Sequence, residues 1–289
     1  MMLKIGLFFL KLISYTPFFV LYRVSSLIAF ILVHSAKARR VPYRNFFRAF
    51  DLPDKELKKL TYRYFRSFID FFIEIAKMTS FSKKKMKRHC VFKNLGLLEK
   101  LAQDHQFILC FSGHVVNYEM LTSLPMHTKD VGMCHLYMSA PPSEGLEWVL
   151  KERSKYGAIN IPSNNPLKTL LKLKKEMDEG KSPYKCYLFG SLSDMDPKKD
   201  DKHAAPFFDY MLEVKTGAEK LGRRFNMAFC YAHIRRHKRG YYEVEVKEIK
   251  PQTNPAEDEY AYTDEFVRMF EANIKEQPDL WMQWGSCRF

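Results

Sequence analysis

Strands and helices alternate along most of this chain, and that pattern constrains its fold more than any other feature of the sequence. Three mostly apolar, strand-like runs occupy residues 106–111, 184–190 and 226–234, and a fourth at 241–249 alternates apolar and charged residues. Helical patterns occur between and around them, at residues 52–78, from Tyr118 onward, and at 144–157, 164–180, 216–225 and 262–278. Because strands that alternate with helices usually form one sheet covered by helices, we predict an α/β fold.

Charge and cysteine usage limit the class of partner and site. The 289 residues carry a formal net charge of +14, which suits a nucleic acid, an anionic membrane surface or an acidic protein. No nucleic-acid-binding motif is recognisable, so we predict no nucleic-acid partner.

The six cysteines are scattered without a CxxC pair, which argues against a zinc ribbon and a small disulfide scaffold. Reduced thiols are the simpler prediction, and no metal site is expected.

The N-terminal segment is apolar, and the charged residues in and directly after it are all basic. Residues 1–36 are mostly apolar, and Asp51 is the first acidic residue. This apolar segment is too long for a signal peptide. Residues 12–33 are long enough to span a bilayer, but Arg23 lies in their middle and Pro17 near their start. The segment is therefore a weak single span, a membrane-embedded hairpin or an interfacial helix, with the buried helix of a soluble domain as a further alternative.

These features predict a chain in two parts. Residues 1–36 would form a membrane anchor, and residues 37–289 would form one catalytic domain. Five Lys/Arg residues follow the apolar segment in residues 37–48. If the segment spans a bilayer, this basic run places the rest of the chain in the cytoplasm.

The stretch FSGHVVNYEM, residues 111–120, carries the strongest candidate for chemistry. A neutral imidazole at His114 is suited to taking a proton from an alcohol near pH 7. A carboxylate on its other ring nitrogen would fix the tautomer, and Glu119 could reach it if His114 lies in the turn before a helix that begins near Tyr118. Asn117 could supply a further hydrogen-bond donor. The alternative is a structural histidine at the end of a buried strand.

Two basic clusters lie elsewhere in the chain. The segment SKKKMKR, residues 82–88, is interpreted as a solvated loop or as a segment that lies against anionic lipid headgroups. The segment HIRRHKRG, residues 233–240, is typical of a basic hairpin turn.

Several motifs, in a consistent order, resemble one enzyme family. The stretch GHVVNYE is similar to the H-x4-D/E signature of glycerolipid acyltransferases, and more closely to the motif of the bacterial lipid A biosynthesis (lauroyl/myristoyl) acyltransferases. The N-terminal RRVPYRNFFRAF, then LKERSKYG, GSLSDMDP, APFFDY and a final tryptophan-containing helix follow that family's order. The chain departs from the family at Val116, Met195 and Asp209, where the family has other residues. The family often ends with a basic stretch after the tryptophan, whereas the ending WMQWGSCRF of this chain has Arg288 as its only basic residue.

The resemblance implies a fold, a reaction and roles for individual residues. The fold would be a mixed sheet flanked by helices, with an N-terminal membrane-anchoring helix and an acyltransferase domain over residues 37–289. The reaction would move a fatty acyl group from acyl carrier protein to a hydroxyl of a membrane glycolipid, a lipid A precursor, with no cofactor beyond that acyl donor. His114 would be the general base and Glu119 would orient it. Arg153 would stabilise the oxyanion, and Asp194 would support Arg153 or the floor of the site.

The implied location is the inner membrane, with the catalytic domain on its cytoplasmic face. Two alternatives stay open for the function. One is the same acyl transfer to another acceptor, such as an aminolipid, another glycolipid or a pigment lipid. The other is a membrane-anchored metallohydrolase that uses His114 and Glu119 with remote ligands. Acyl chain length, acceptor position and oligomeric state are not predicted.

Overall fold

A seven-stranded sheet organises the chain. The computed structural model describes residues 2–137, 141, 143–194 and 202–285. The helices are α1 Met2–Tyr15, α2 Phe18–His34, α3 Ala36–Phe50, α4 Asp54–Met78, α5 Lys83–His89, α6 Leu95–Asp104, α7 Glu144–Ser154, α8 Pro166–Asp178, α9 Gly217–Arg224 and α10 Ala261–Glu276. Short 3-10 helices cover Tyr118–Met126, Pro278–Leu280 and Met282–Gly285. The strands are β1 Cys90–Lys93, β2 Phe107–Ser112, β3 Val131–Tyr137, β4 Ile159–Pro162, β5 Cys186–Leu192, β6 Lys202–Phe207, β7 Tyr210–Lys215, β8 Ala228–Lys238 and β9 Tyr241–Glu248.

The sheet is mixed, as the resemblance implied. Its strand order is β1-β9-β8-β2-β5-β3-β4, and β6 and β7 form a separate antiparallel hairpin. Within the large sheet β8 and β9 pair in antiparallel fashion, and the other neighbouring strands are parallel. Every residue of the central strand β2 is buried, because helices cover both faces of a parallel sheet. The predicted α/β class is therefore confirmed.

The structure also corrects some local predictions. Residues 82–88, interpreted as a solvated loop or as a segment against lipid headgroups, are not a loop. Residues 83–88 lie in helix α5, whose first turn is capped by Ser82 and which buries Met86 and His89. The helix predicted from Tyr118 is a 3-10 helix. Strands β1, β3 and β4 were not predicted. Of residues 233–240, interpreted as a hairpin turn, residues 233–238 continue strand β8, and only Arg239 and Gly240 form the turn that leads into β9.

Five of the six cysteines lie within the described residues, all buried as free thiols. Three of them, Cys110, Cys186 and Cys230, lie in the neighbouring strands β2, β5 and β8. There they pack as small apolar side chains. Cys287 lies outside the described residues.

The N-terminal segment contains two helices, α1 and α2, and not the single span that was one of the predicted alternatives. Helix α1 ends at Tyr15, Pro17 precedes α2, and α3 turns by 86° from α2. Among the described helices none is long and apolar enough to cross a bilayer alone, while α2 and α3 together reach that length and composition as a bent pair. Helix α2 buries Ser25, Ala29 and Val33.

Helix α2 is joined to the body of the protein by buried polar contacts. Arg239, in the turn between β8 and β9, donates hydrogen bonds to Asp70 of α4 and Ser25 of α2. The Tyr22 hydroxyl donates to Glu74 at 3.1 Å. Because the Asp70 carboxylate is fully buried, its partners from α2 and the β8–β9 turn satisfy a charge that would otherwise be costly. Helix α2 therefore packs as part of the α/β core.

Gly113 permits a close approach between the end of β2 and helix α10. A Cβ at this position would overlap the ring of Phe270, which is fully buried. We expect Gly113→Ala to lower the free energy of unfolding by about 1–3 kcal/mol, because the ring has no room to move away. Gly96→Ala is the matched control, since nothing lies within 4 Å of its Cβ position. Urea unfolding of both variants checks this, and equal midpoints would contradict it.

Candidate active site

The register of two parallel strands brings His114 and Asp194 together. Strand β2 pairs with β5 so that Ser112 lies opposite Leu192, the last residue of each strand. His114 and Asp194 each follow two residues later and therefore emerge side by side at the carboxyl edge of the sheet. This edge is where α/β proteins usually bind their ligands.

Asp194 holds His114 at two points, the ring nitrogen Nδ1 and the backbone N–H. One carboxylate oxygen, Oδ1, lies 2.6 Å from the ring nitrogen Nδ1 of His114. The other, Oδ2, accepts the backbone N–H of His114 at 2.9 Å and the indole N–H of Trp281 at 2.8 Å. Asp194 is buried, whereas the side chain of His114 keeps 13% of its surface exposed. A fixed imidazole with a partly exposed ring can exchange a proton with a bound alcohol.

The charge state of Asp194 determines which nitrogen of His114 can act as a base. Burial alone would raise the pKa of Asp194, but the charge of His114 and three hydrogen bonds hold that pKa below its usual value. Asp194 is therefore ionised at neutral pH, and Nδ1 carries the proton it shares with the carboxylate. In the neutral ring, Nε2 is left without a proton and can accept one.

The loop after β2 is held by a segment from far along the chain. The N–H of Val116 donates to the carbonyl of Leu280 at 3.0 Å, and the N–H of Met282 donates to the carbonyl of His114 at 3.0 Å. Val115 and Trp281 form an antiparallel bridge between these bonds. The same segment thus positions the backbone of His114 and, through Trp281, its carboxylate partner.

Glu119 has a different partner from the one predicted. It forms a two-point ion pair with Arg153, in which Nε lies 3.0 Å from Oε2 and Nη2 contacts Oε1. Burial lowers the pKa of the Arg153 guanidinium, but the hydrogen bond and the charge of Glu119 outweigh it, so that the net pKa is raised. The prediction that Glu119 orients His114 is wrong in geometry, because Asp194 occupies that position. Asp194 contacts His114 and not Arg153, which leaves the other predicted role, support of the floor of the site.

Asn117 points into the protein interior. Its side chain is buried, and its amide donates to Glu74 of α4 at 3.3 Å. The predicted role as a donor toward substrate therefore does not match this placement. The physical reason is that the loop directs residue 117 toward α4, so that its amide meets the buried carboxylate of Glu74.

An apolar cavity of about 230 Å³ adjoins the ion pair. Its walls come from the end of α4, from the 3-10 helix Tyr118–Met126 and from α7. The apolar residues among them are Ile75, Met78, Trp148, Val149 and Tyr156. Glu119 and Arg153 lie in the same wall, so a charged pair faces a space that suits hydrocarbon.

Two residues of the site were not predicted as functional. Trp281 packs against Phe207 and Phe270 and also donates its indole N–H to Asp194. The ring of Tyr118 lies edge-on to His114, with ring centres 5.1 Å apart. The only sequence signal for Tyr118 is its place beside Glu119. No sequence signal exists for Trp281, because its hydrogen bond to Asp194 joins residues that are far apart in the chain.

The described residues contain no group of three or more His, Cys, Asp and Glu side chains that could hold a metal ion. The site itself offers several acidic and basic side chains. In the described residues these are His114, Asp194, Glu119 and Arg153.

Comparison with known proteins identifies one family. A family model described as "Bacterial lipid A biosynthesis acyltransferase" matches residues 1–285. The comparison with curated proteins gives no match. The matched range covers both N-terminal helices and every residue of the site described above.

Proposed function

Since the chain belongs to the family of bacterial lipid A biosynthesis acyltransferases, we propose that it transfers a fatty acyl group from acyl carrier protein to a hydroxyl of a lipid A precursor. The observation that carries the proposal is the bonded pair of His114 and Asp194 at the carboxyl edge of the sheet. It supplies a base with a fixed tautomer, which acyl transfer to a hydroxyl requires.

The proposed reaction uses His114 as the base. Nε2 takes the proton of the acceptor hydroxyl while its oxygen attacks the thioester carbonyl carbon. The tetrahedral intermediate then collapses, the carbon–sulfur bond breaks, and the imidazolium returns the proton to the departing thiolate. Asp194 stabilises the imidazolium between these two transfers because its own pKa is held low.

We propose that Arg153 stabilises the oxyanion of this intermediate. Its Nε and Nη2 are bonded to Glu119, and its Nη1 has no hydrogen-bond partner among the described residues. Glu119 then acts as a positioning residue that holds the guanidinium beside the apolar cavity. A preorganised cation in a water-poor site is worth far more to a developing charge than one in bulk water. The cavity would accept part of the acyl chain.

We propose that helix α2 lies in the surface of the inner membrane, with the catalytic domain on the cytoplasmic face. The side of α2 that faces away from α4 exposes large apolar side chains, among them Phe19 (63% exposed), Leu27 (60%) and Ile31 (59%). Contiguous apolar surface of this kind marks membrane or protein contact. A site held close to the bilayer in this way would meet a lipid acceptor directly.

The direct test is transfer by the purified protein. In detergent, with an acyl carrier protein thioester and a lipid A precursor, we expect one added acyl chain by mass spectrometry, with a rate that a metal chelator does not change. Parallel reactions with an aminolipid, another glycolipid and a pigment lipid distinguish the acceptor. Hydrolysis without transfer, lost on chelation, would favour the metallohydrolase instead.

A further inference from the structure

Helix α5 presents a dense positive surface that the proposed reaction does not use. Its exposed residues Lys83, Lys84, Lys87 and Arg88, here called the α5 basic surface, all point away from the core. Met86 and His89 are buried on the opposite side, and Ser82 caps the first turn. The helix therefore holds four like charges on one side, at some cost in mutual repulsion.

The α5 basic surface is not neutralised by the protein itself. None of its four cations has an ion-pair partner among the described residues, whereas surface lysines such as Lys58 and Lys174 pair with a nearby aspartate. The four line an open groove of about 910 Å³ together with Lys155 and Tyr156. No acidic residue occurs among the described residues that line this groove. Such a groove attracts an anionic partner.

The groove adjoins the candidate active site. Tyr156 lines both the groove and the apolar cavity that contains Glu119 and Arg153. The hydroxyl of Tyr156 and the ammonium of Lys155 donate to the carbonyl of Met78, which joins the end of α7 to the end of α4. Helix α5 also packs against the 3-10 helix Tyr118–Met126, which begins shortly after His114. A partner bound in the groove would thus lie beside the cavity.

We propose that the α5 basic surface is the docking site for the acidic face of acyl carrier protein. This inference rests on the proposed function, which requires that carrier to deliver its thioester to the cavity. Acyl carrier proteins are acidic, so the charges are complementary. A concave groove fits a convex protein body better than a flat bilayer does. The exposed side chains of α5 are cationic, without the exposed apolar residues of α2 that suit a lipid surface.

The test is a double charge reversal, Lys84→Glu with Lys87→Glu, in the full-length protein. We expect binding of fluorescently labelled acyl carrier protein to weaken at least 10-fold, and the KM for its acyl thioester to rise by a similar factor. The rate with a small thioester that lacks the acidic protein, acyl-pantetheine, should stay unchanged. Wild-type binding should also weaken with added salt, since the contact is between exposed charges.

The matched control is Lys55→Glu with Lys59→Glu, which reverses the same number of exposed charges elsewhere on the surface. These residues are exposed near the start of α4, roughly 30 Å along that helix from Met78, and should leave carrier binding unchanged. Lys84→Gln with Lys87→Gln is a milder variant that should show an intermediate loss. Thermal unfolding shows whether each variant is folded.

The outcomes separate the docking site from the reaction. If the charge reversal does not weaken carrier binding, the docking proposal is wrong, whatever the activity of the variant. The docking site is equally excluded if the reversal abolishes binding to phosphatidylglycerol vesicles but leaves the KM for the carrier unchanged. Carrier binding that depends on Lys84 and Lys87 without any acyl transfer would support the docking site and reject the proposed function.

Discussion

Replacing His114 with alanine is expected to lower kcat for acyl transfer by about 10²–10⁴-fold, the range that a positioned base contributes. The loss arises because Nε2 is the one nitrogen of the His114–Asp194 pair that can take the acceptor proton. Glu119 cannot replace it, because both of its carboxylate oxygens are bonded to Arg153. Mass-spectrometric rates with carrier thioester and lipid acceptor measure the effect.

The same variant should remain folded. The imidazole is partly exposed, and the backbone bonds of residue 114 to Asp194 and Met282 do not need the side chain. We expect carrier binding to stay near the wild-type value and the thermal midpoint to fall only modestly, because Oδ1 of the buried Asp194 loses its partner. Wild-type rates in a folded His114→Ala protein would remove the histidine from the mechanism.

Replacing Asp194 with asparagine should reduce kcat by about 10²-fold or more, through the tautomer of His114. Two N–H donors, from the His114 backbone and from Trp281, point at Oδ2. The amide oxygen of asparagine would take that position, and its NH₂ group would face Nδ1. The imidazole proton would then move to Nε2, where it blocks acceptance of the acceptor proton. Nitrogen chemical shifts of His114 report this change directly.

Glu119→Gln is the matched comparison, because it removes a carboxylate of the same site without contact to the imidazole. It should weaken the hold on Arg153 and lower the rate while the His114 tautomer and the pH profile stay as in the wild type. A tautomer change in the Glu119 variant, with a normal tautomer in the Asp194 variant, would instead support the pairing that the sequence spacing suggested.

Local patterns were enough to predict the fold class and the long helices. Helices α4, α8 and α10 show clear periodicity, and the strand-like runs at β2, β5, β8 and β9 are rich in apolar residues. Strands β1 and β4 are only four residues long, too short for any alternation to be visible. Strand order is set by pairings between distant segments, which no local pattern contains.

The chemistry was predicted in part. The histidine could be found because it follows a buried strand and a glycine in a short, polar motif. The partner of the histidine could not be found in this way, because the spacing of five residues favoured Glu119. The register of β2 and β5 instead brings Asp194 to the ring. The pairing of Glu119 with Arg153 likewise depends on how α7 packs against the 3-10 helix. All four residues were named from the sequence, but their partnerships required the fold.

The bridge between the His114 loop and residues 280–282 sets an order of events during synthesis. Strand β2 and the loop after it leave the ribosome early, but the partners of Val116 and Asp194 are made only near residue 281. Because domains fold as segments become available, the sheet can begin to assemble before the base has its final geometry. A nascent chain therefore lacks the final geometry of its base until this last segment is in place.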